Sequence, residues 1–214
     1  MNPRPDLLKD EACLEGYQYF DANIRQLPKK PDGRFDEANL VFVNSDIDAF
    51  RHAYVSAVFT HEYGPSVAEL FGRLNELTSI FSPGASAGEE NMDLWNNAVG
   101  RRYAAKYKDK AKLLEGLRDA LRKGEFIITP KDDRIYEGAS HFEIDANKPI
   151  IVLDESRTGR NEVFYDVAQK KSLSRSELVS AISSGRYSGY SLRNINGLET
   201  PVSKTDGQEL NNLG

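Results

Sequence analysis

Residues Phe50–Gly64 read FRHAYVSAVFTHEYG. Phe50, Ala53, Tyr54, Ala57, Val58 and His61 recur at the three- and four-residue spacing of one helical face, which predicts a helix over about 47–62. Ser45 or Asp46 supplies an N-cap before it. Gly64-Pro65 ends it, because proline cannot continue a helix and glycine tolerates the backbone that terminates one. His52 and Ser56 lie four apart on a flank of the apolar stripe, where a plain core helix needs no polar group.

Working outward, the same reading predicts further helices. Residues 6–26 begin with a helical pattern, and RQLPKKPDGRFDEANL reads as a loop through its prolines and PDG turn. Ser66 caps a helix over about 67–81, with Val67, Leu70, Phe71, Leu74, Leu77 and Phe81 inward. The small-residue run SPGASAGEEN (Ser82–Asn91) reads as a loop. Asn91 then caps a helix over about 92–107, and a fourth helix follows over about 109–123, closed by Gly124. The coincident apolar stripes predict one core with Trp95 inside it. Beyond Gly124 the composition shifts. EFIITP, KPIIVL and NEVFYDV read as short strands, SRSE at 174–177 as a capping box for a short helix, and YSGYSLRNI as a last strand. The tail from Pro201 reads as irregular. The fold class is therefore α+β: a helical lobe over 1–124 and a small α+β lobe over 125–214.

Bulk composition narrows the function. The 214 residues carry a net charge of −5, with 39% hydrophobic and 29% charged residues. Mean hydropathy is −0.56 and the pI about 5.4. That is a core-forming globular composition. The acidic balance argues against a nucleic-acid backbone as main partner, since phosphates need a basic surface. Lys106, Lys108, Lys110 and Lys112 read as a solvated helix face. A single cysteine, Cys13, excludes an intrachain disulfide and a Cys-rich zinc site. The N-terminus has no apolar signal region and no run reaches membrane-spanning length. The chain is expected in the cytoplasm at synthesis, with any export by a route that reads no classical signal peptide.

Each candidate residue carries two readings. Asp93 suits a helix first turn through the dipole. Asn96 and Asn97 lie deeper in that helix, where asparagine is unfavourable, so they need specific partners: a bridge to another helix, a substrate or a metal. His52 is either a packed, satisfied side chain or a general acid or base. Glu76, between Leu74 and Leu77, is either a desolvated carboxylate with a raised pKa or a surface partner of Arg73. His61-Glu62 begins a zincin-like pattern, but Pro65 takes the place of its second histidine, so that reading fails.

Taken jointly, AFRHAYVSA, then NEL, then MDLWNNAVGR resemble a bacterial domain found at the C-termini of RHS-type and other polymorphic toxins and as stand-alone secreted-effector candidates. The resemblance covers about residues 46–103. The matching positions are Arg51, His52, Glu76, Asp93, Asn96, Asn97, Gly100 and Arg101. Val55 stands where that family tends to have tryptophan, and Asn75 where it tends to have a histidine before Glu76, so no metal is assigned and the cofactor stays open. The resemblance implies a secreted toxin-like hydrolase with His52, Glu76 and Asp93 catalytic and Arg51, Asn96, Asn97 and Arg101 binding substrate. An immunity protein or a secretion-apparatus component is the implied partner. The alternative is a non-catalytic phage or secretion-apparatus module whose polar cluster is a buried bridge between helices. His52, Asp93 and Asn97 are expected within one side chain's reach, facing a groove edged by Ser82–Asn91. The 125–214 lobe, His141 and Asp166 included, is expected to supply no catalytic residue.

Overall fold

The computed structural model describes residues 5–80, 86–137, 148–156, 160–169, 171–204 and 213; of these, the side chains of 6, 74–80, 154 and 155 lie outside the description. The fold is α+β. The chain divides into two compact units, one of Pro5–Ser140 and one built from His141–Gly214 together with the first four residues.

The first unit is helical: α1 (Pro5–Asn23), a 3-10 turn (Leu40–Phe42), α2 (Asp46–Tyr63), α3 (Pro65–Ile80), α4 (Ala87–Lys106) and α5 (Lys110–Arg122). Helix α2 is the central one, packed against α1, α3, α4 and α5, most extensively against α4. Its stripe of Phe50, Ala53, Tyr54 and Ala57 is fully buried, with Phe20, Met92, Val99, Leu113 and Leu117 around it. Each large side chain so enclosed contributes roughly 1.5–3 kcal/mol. Ser45 is the N-cap of α2, and Gly64 ends it with φ of +85°. Phe59 takes the inward place expected of Val58 and meets Phe71 of α3 at a ring separation of 5.2 Å.

The α2–α4 seam is unusually close. A β-carbon on Gly100 would lie 2.0 Å from the Ala53 carbonyl oxygen. Only glycine lets the two backbones approach so far.

Three expectations for this unit change. Helix α4 starts at Ala87, not near 92, so the second half of the expected Ser82–Asn91 loop, from Ala87, is its first turns. Ser86 caps it: Glu89 N–H donates to Ser86 Oγ, and the Ser86 N–H donates to Glu89 Oε2. Asn91 is therefore inside the helix. Trp95 is half-buried rather than central. The inward face of α4 carries Met92, Asn96, Asn97, Val99, Gly100 and Ala104 instead. Finally, residues 125–130 form no strand. Phe126 and Ile127 are buried, but side chains take the part of a neighbouring strand. Asn96 Nδ2 donates to Ile127 O and Ile127 N–H donates back to Asn96 Oδ1, at 2.8 and 3.1 Å. Trp95 Nε1 donates to Glu125 O, and Arg134 donates to Gly124 O and Phe126 O. Buried backbone needs partners, not necessarily a ladder. These contacts tie the segment after Gly124 to the helical unit, which runs on to Ser140.

The second unit holds an antiparallel sheet β1 (Ile150–Glu155), β2 (Asn161–Asp166) and β3 (Lys171–Ser174), in that order, then α6 (Arg175–Ser183) and a hairpin β4 (Tyr190–Ile195) with β5 (Leu198–Ser203). The 174–177 capping box forms as expected, with Ser174 and Glu177 exchanging side-chain to backbone bonds. Pro201–Ser203 belong to β5 and are not irregular. The turn before them is Asn196-Gly197, both at positive φ, the two-residue form that matches strand twist. Ile150, Phe164, Leu173, Leu178, Tyr187 and Tyr190 form the unit's core. Among the described residues, no helix is long and apolar enough to cross a membrane.

Candidate functional site

The polar groups of α2 and α4 meet at the seam. Asp48 lies in the first turn of α2; Arg51 and His52 follow at i+3 and i+4, so all three share one face. Arg51 Nη2 donates to Asp48 Oδ1 at 2.6 Å and contacts His52 Nε2 at 2.7 Å. His52 Nε2 lies 3.3 Å from Asp93 Oδ1 and 3.7 Å from Asp48 Oδ1. Asn44 N–H donates to the other Asp48 oxygen at 2.8 Å. The side chains of Asp48, His52 and Asp93 are 7%, 13% and 18% exposed, so the cluster is largely withdrawn from water.

This setting decides protonation. Burial, then the positive charges of Arg51 and Lys9, hold the His52 pKa well below its ordinary value; a hydrogen bond with Asn97 pulls the other way without reversing it. The imidazole is neutral at pH 7. A guanidinium can only donate, so the nitrogen it contacts, Nε2, carries the lone pair, and the ring proton sits on Nδ1. The Arg51 pKa is raised: burial opposes its charge, but Asp48, Tyr17 and Cys13 outweigh that.

Asn97 is buried, and its Nδ2 would lie 3.0 Å from a β-carbon on Gly72, so α3 closes over it. His52, Asp93, Arg51 and Asn97 are therefore brought together. Asn96 and Arg101 serve elsewhere. Both polar ends of Asn96 are taken by Ile127, which leaves it a clamp rather than a substrate contact. Arg101 donates to Tyr136 Oη at 3.1 Å and lies 3.8 Å from Glu69, which Arg73 also holds. The Glu69 pKa is lowered by Arg73 and Arg101 although burial opposes it. Backbone at Glu76 lies in α3, but its side chain is outside the described ones. His141 also lies outside the described residues. Asp166 accepts from the Tyr187 hydroxyl and from the Ala168 and Gln169 N–H groups, a turn-holding role.

A cavity of about 440 Å³ lies beside Arg51, lined by Lys9, Cys13, Tyr17, Glu37, Phe42 and Arg51 among others. It abuts α1, not the expected groove at Ser82–Asn91, of which 82–85 lie outside the described residues. Burial raises the Cys13 pKa, with Arg51 and Lys9 opposing. Arg51 thus both lines an open polar cavity and contacts the enclosed cluster. Asp48 was not among the sequence candidates; its signal was its place at i−3 and i−4 from Arg51 and His52. Lys9, Cys13 and Tyr17 are spaced by four on α1, but nothing local says which helix that face meets.

One comparison bears on this site. Residues 29–125 match DUF6973, a domain of unknown function. The DUF6973 span takes in Asp48, Arg51, His52, Asp93, Asn97 and Gly100, and leaves α1 and the strand-rich unit outside it. No curated protein and no solved structure matches the chain.

Proposed function

We propose that the helical unit is a bacterial secreted effector of the toxin-like kind, with a hydrolase centre on α2 and α4. His52 acts as general base, Asp93 is its partnering carboxylate, Asn97 fixes the ring, and Arg51 meets an anionic group of the substrate from the cavity. One observation carries this reading: a neutral imidazole, its Nε2 lone pair free of a proton, is held between two carboxylates in a largely dry site beside a cavity. Titratable groups perturbed by burial and by specific charges concentrate at functional sites. The resemblance of residues 46–103 to polymorphic-toxin domains supplies the substrate setting, and an immunity protein is the partner it implies.

A second reading has its own support. The Asp48–Arg51 ion pair and the doubly bonded Asn96 are what a buried bridge between helices requires, in a non-catalytic phage or secretion-apparatus module. Expression of wild type and His52→Ala in the cytoplasm and in the periplasm of a bacterial host separates the two. Growth arrest by wild type, lost in a His52→Ala protein that stays folded, supports the enzyme. Normal growth with both in both compartments, with His52→Ala merely less stable, supports the bridge.

A further inference from the structure

We propose that Asp48, His52 and Asp93 form a divalent transition-metal site, with Arg51 as the internal cation that the metal displaces. The proposal rests on the reading of this cluster as a functional centre and changes one role in it: with an ion bound, the His52 Nε2 lone pair is a ligand, and a metal-bound water takes the place of the imidazole as base. One oxygen or nitrogen from each of the three residues lies within 4.8 Å of the others. His52 Nε2 lies 3.3 Å and 3.7 Å from the two carboxylate oxygens. A tetrahedral ion with bonds of about 2.0–2.1 Å places its donors about 3.3 Å apart, which the His52–Asp93 spacing matches and the His52–Asp48 spacing exceeds by a few tenths of an ångström.

Proton placement strengthens this. Because Nε2 faces Arg51 with its lone pair, it cannot also donate to Asp93. Two acceptors therefore face each other at 3.3 Å, an approach that a cation between them makes favourable. The His52 ring also shares a hydrogen bond with the Asn97 side chain. That is the usual support of a metal-bound imidazole, in which an outer group fixes tautomer and ring plane.

A separate observation comes from Ser56. Asp48, His52 and Ser56 recur at intervals of four on α2, so Ser56 lies on the same face of the helix, one turn after His52. Ser56 is 4% exposed. Its Oγ is enclosed and has no hydrogen-bond partner among the described residues. A buried hydroxyl without a partner is unfavourable, and a water on the metal would satisfy it. One imidazole with two carboxylates suits Mn²⁺ or Zn²⁺ better than a soft ion.

Arg51 makes the proposal distinctive. Its guanidinium holds two of the three ligand atoms, at 2.6 and 2.7 Å, so it competes directly with a metal. It also lines the cavity beside Glu37, where its charge has a second place to rest.

The test is Mn²⁺ binding to the purified full chain, read from the loss of the free-ion electron paramagnetic resonance signal, with Zn²⁺ competition. Wild type should bind one Mn²⁺ per chain. Asp93→Asn and His52→Gln should each weaken binding at least about tenfold, and Asn97→Ala by about tenfold as an outer-shell change. Arg51→Gln, which removes the competitor and keeps the ligands, should tighten binding several-fold. Circular dichroism checks the fold of each variant. Should Asp93→Asn fail to fold, the Arg51→Gln gain still decides. Absence of binding in folded wild type at millimolar Mn²⁺ would overturn the site, as would binding that Arg51→Gln abolishes or that both ligand variants leave unchanged. The readout needs no activity: growth arrest without Mn²⁺ binding removes only the metal, and Mn²⁺ binding without growth arrest removes only the toxin reading.

Discussion

Replacing Gly100 with alanine tests the seam on which the whole site depends. The new β-carbon would lie 2.0 Å from Ala53 O, 2.7 Å from Ala53 C and 2.9 Å from Ala53 Cα. All three are backbone atoms in the middle of α2, so no side chain can swing aside. The first contact is more than an ångström short of ordinary van der Waals separation, and the two helices must part along their most extensive contact. Overpacking usually costs about 1–3 kcal/mol; a clash against rigid backbone belongs at or above the top of that range, at about 3 kcal/mol or more. For a unit of this size that is a fall in Tm of roughly 10 °C. Trp95, the chain's single tryptophan, lies in α4, so urea unfolding followed by its fluorescence reports the helical unit alone. Gly124→Ala is the control: φ is +71° there but nothing lies within 4 Å, so only the left-handed backbone is penalised, by about 1–2 kcal/mol. A Gly100→Ala protein as stable as wild type, or no less stable than Gly124→Ala, would refute the close-seam argument.

Three further outcomes follow from the same structure. Asn96→Ala strands the buried N–H and C=O of Ile127 and should cost about 2–6 kcal/mol in urea unfolding, at about 1–3 per orphaned group; a cost below about 1 would mean that water reaches them. Trp95→Ala should lose about 2–3 kcal/mol by circular dichroism melting, less than the roughly 3–5 of a fully buried ring, because Trp95 is half-exposed and held by Glu125 O and the Arg134 guanidinium. The depressed His52 pKa means that below about pH 6.5 the unfolded chain binds a proton that the folded chain does not, so stability is full above that pH and falls as pH drops, by up to about 1.4 kcal/mol per unit. His52→Gln, still facing Asp48, Arg51 and Asp93, should lose that slope between pH 6.5 and 5; identical slopes would show that His52 charges freely in the fold.

The central helix was legible because its signals are local. Phe50, Ala53, Tyr54 and Ala57 repeat at helical spacing, and a serine cap and a Gly-Pro stop bound them. Two other local signals outweigh the composition around them. Ser86-x-x-Glu89 is a capping box that starts α4 five residues early, and Asn196-Gly197 is a hairpin turn that carries β5 into the expected tail. The error at 125–130 has another cause. Phe126, Ile127 and Ile128 have strand propensity, but propensity does not supply a partner strand, and the side chains of Asn96, Trp95 and Arg134 satisfied that backbone instead. Asp48 escaped notice because an acidic residue in a helix first turn already has an explanation in the dipole. Its second role needs α4 beside it, and that is a long-range fact.

The same long-range fact orders the site residues by what they do. Gly100 and Gly72 allow α2 and α3 to close on α4. Asn97 then reaches His52, and Asp93 comes to 3.3 Å from its ring. These contacts depend on that close approach, so the glycine in the MDLWNNAVGR stretch serves the cluster as the residues that carry charge do. Arg51 differs from all of them. It lies in the cavity wall and against both Asp48 and His52. A side chain placed only to balance buried carboxylates would not also need the cavity. Arg51 lines the cavity and contacts His52, and the direction of its substitution effect on Mn²⁺ affinity, a gain rather than a loss, separates a displaceable counter-charge from a fixed structural bridge.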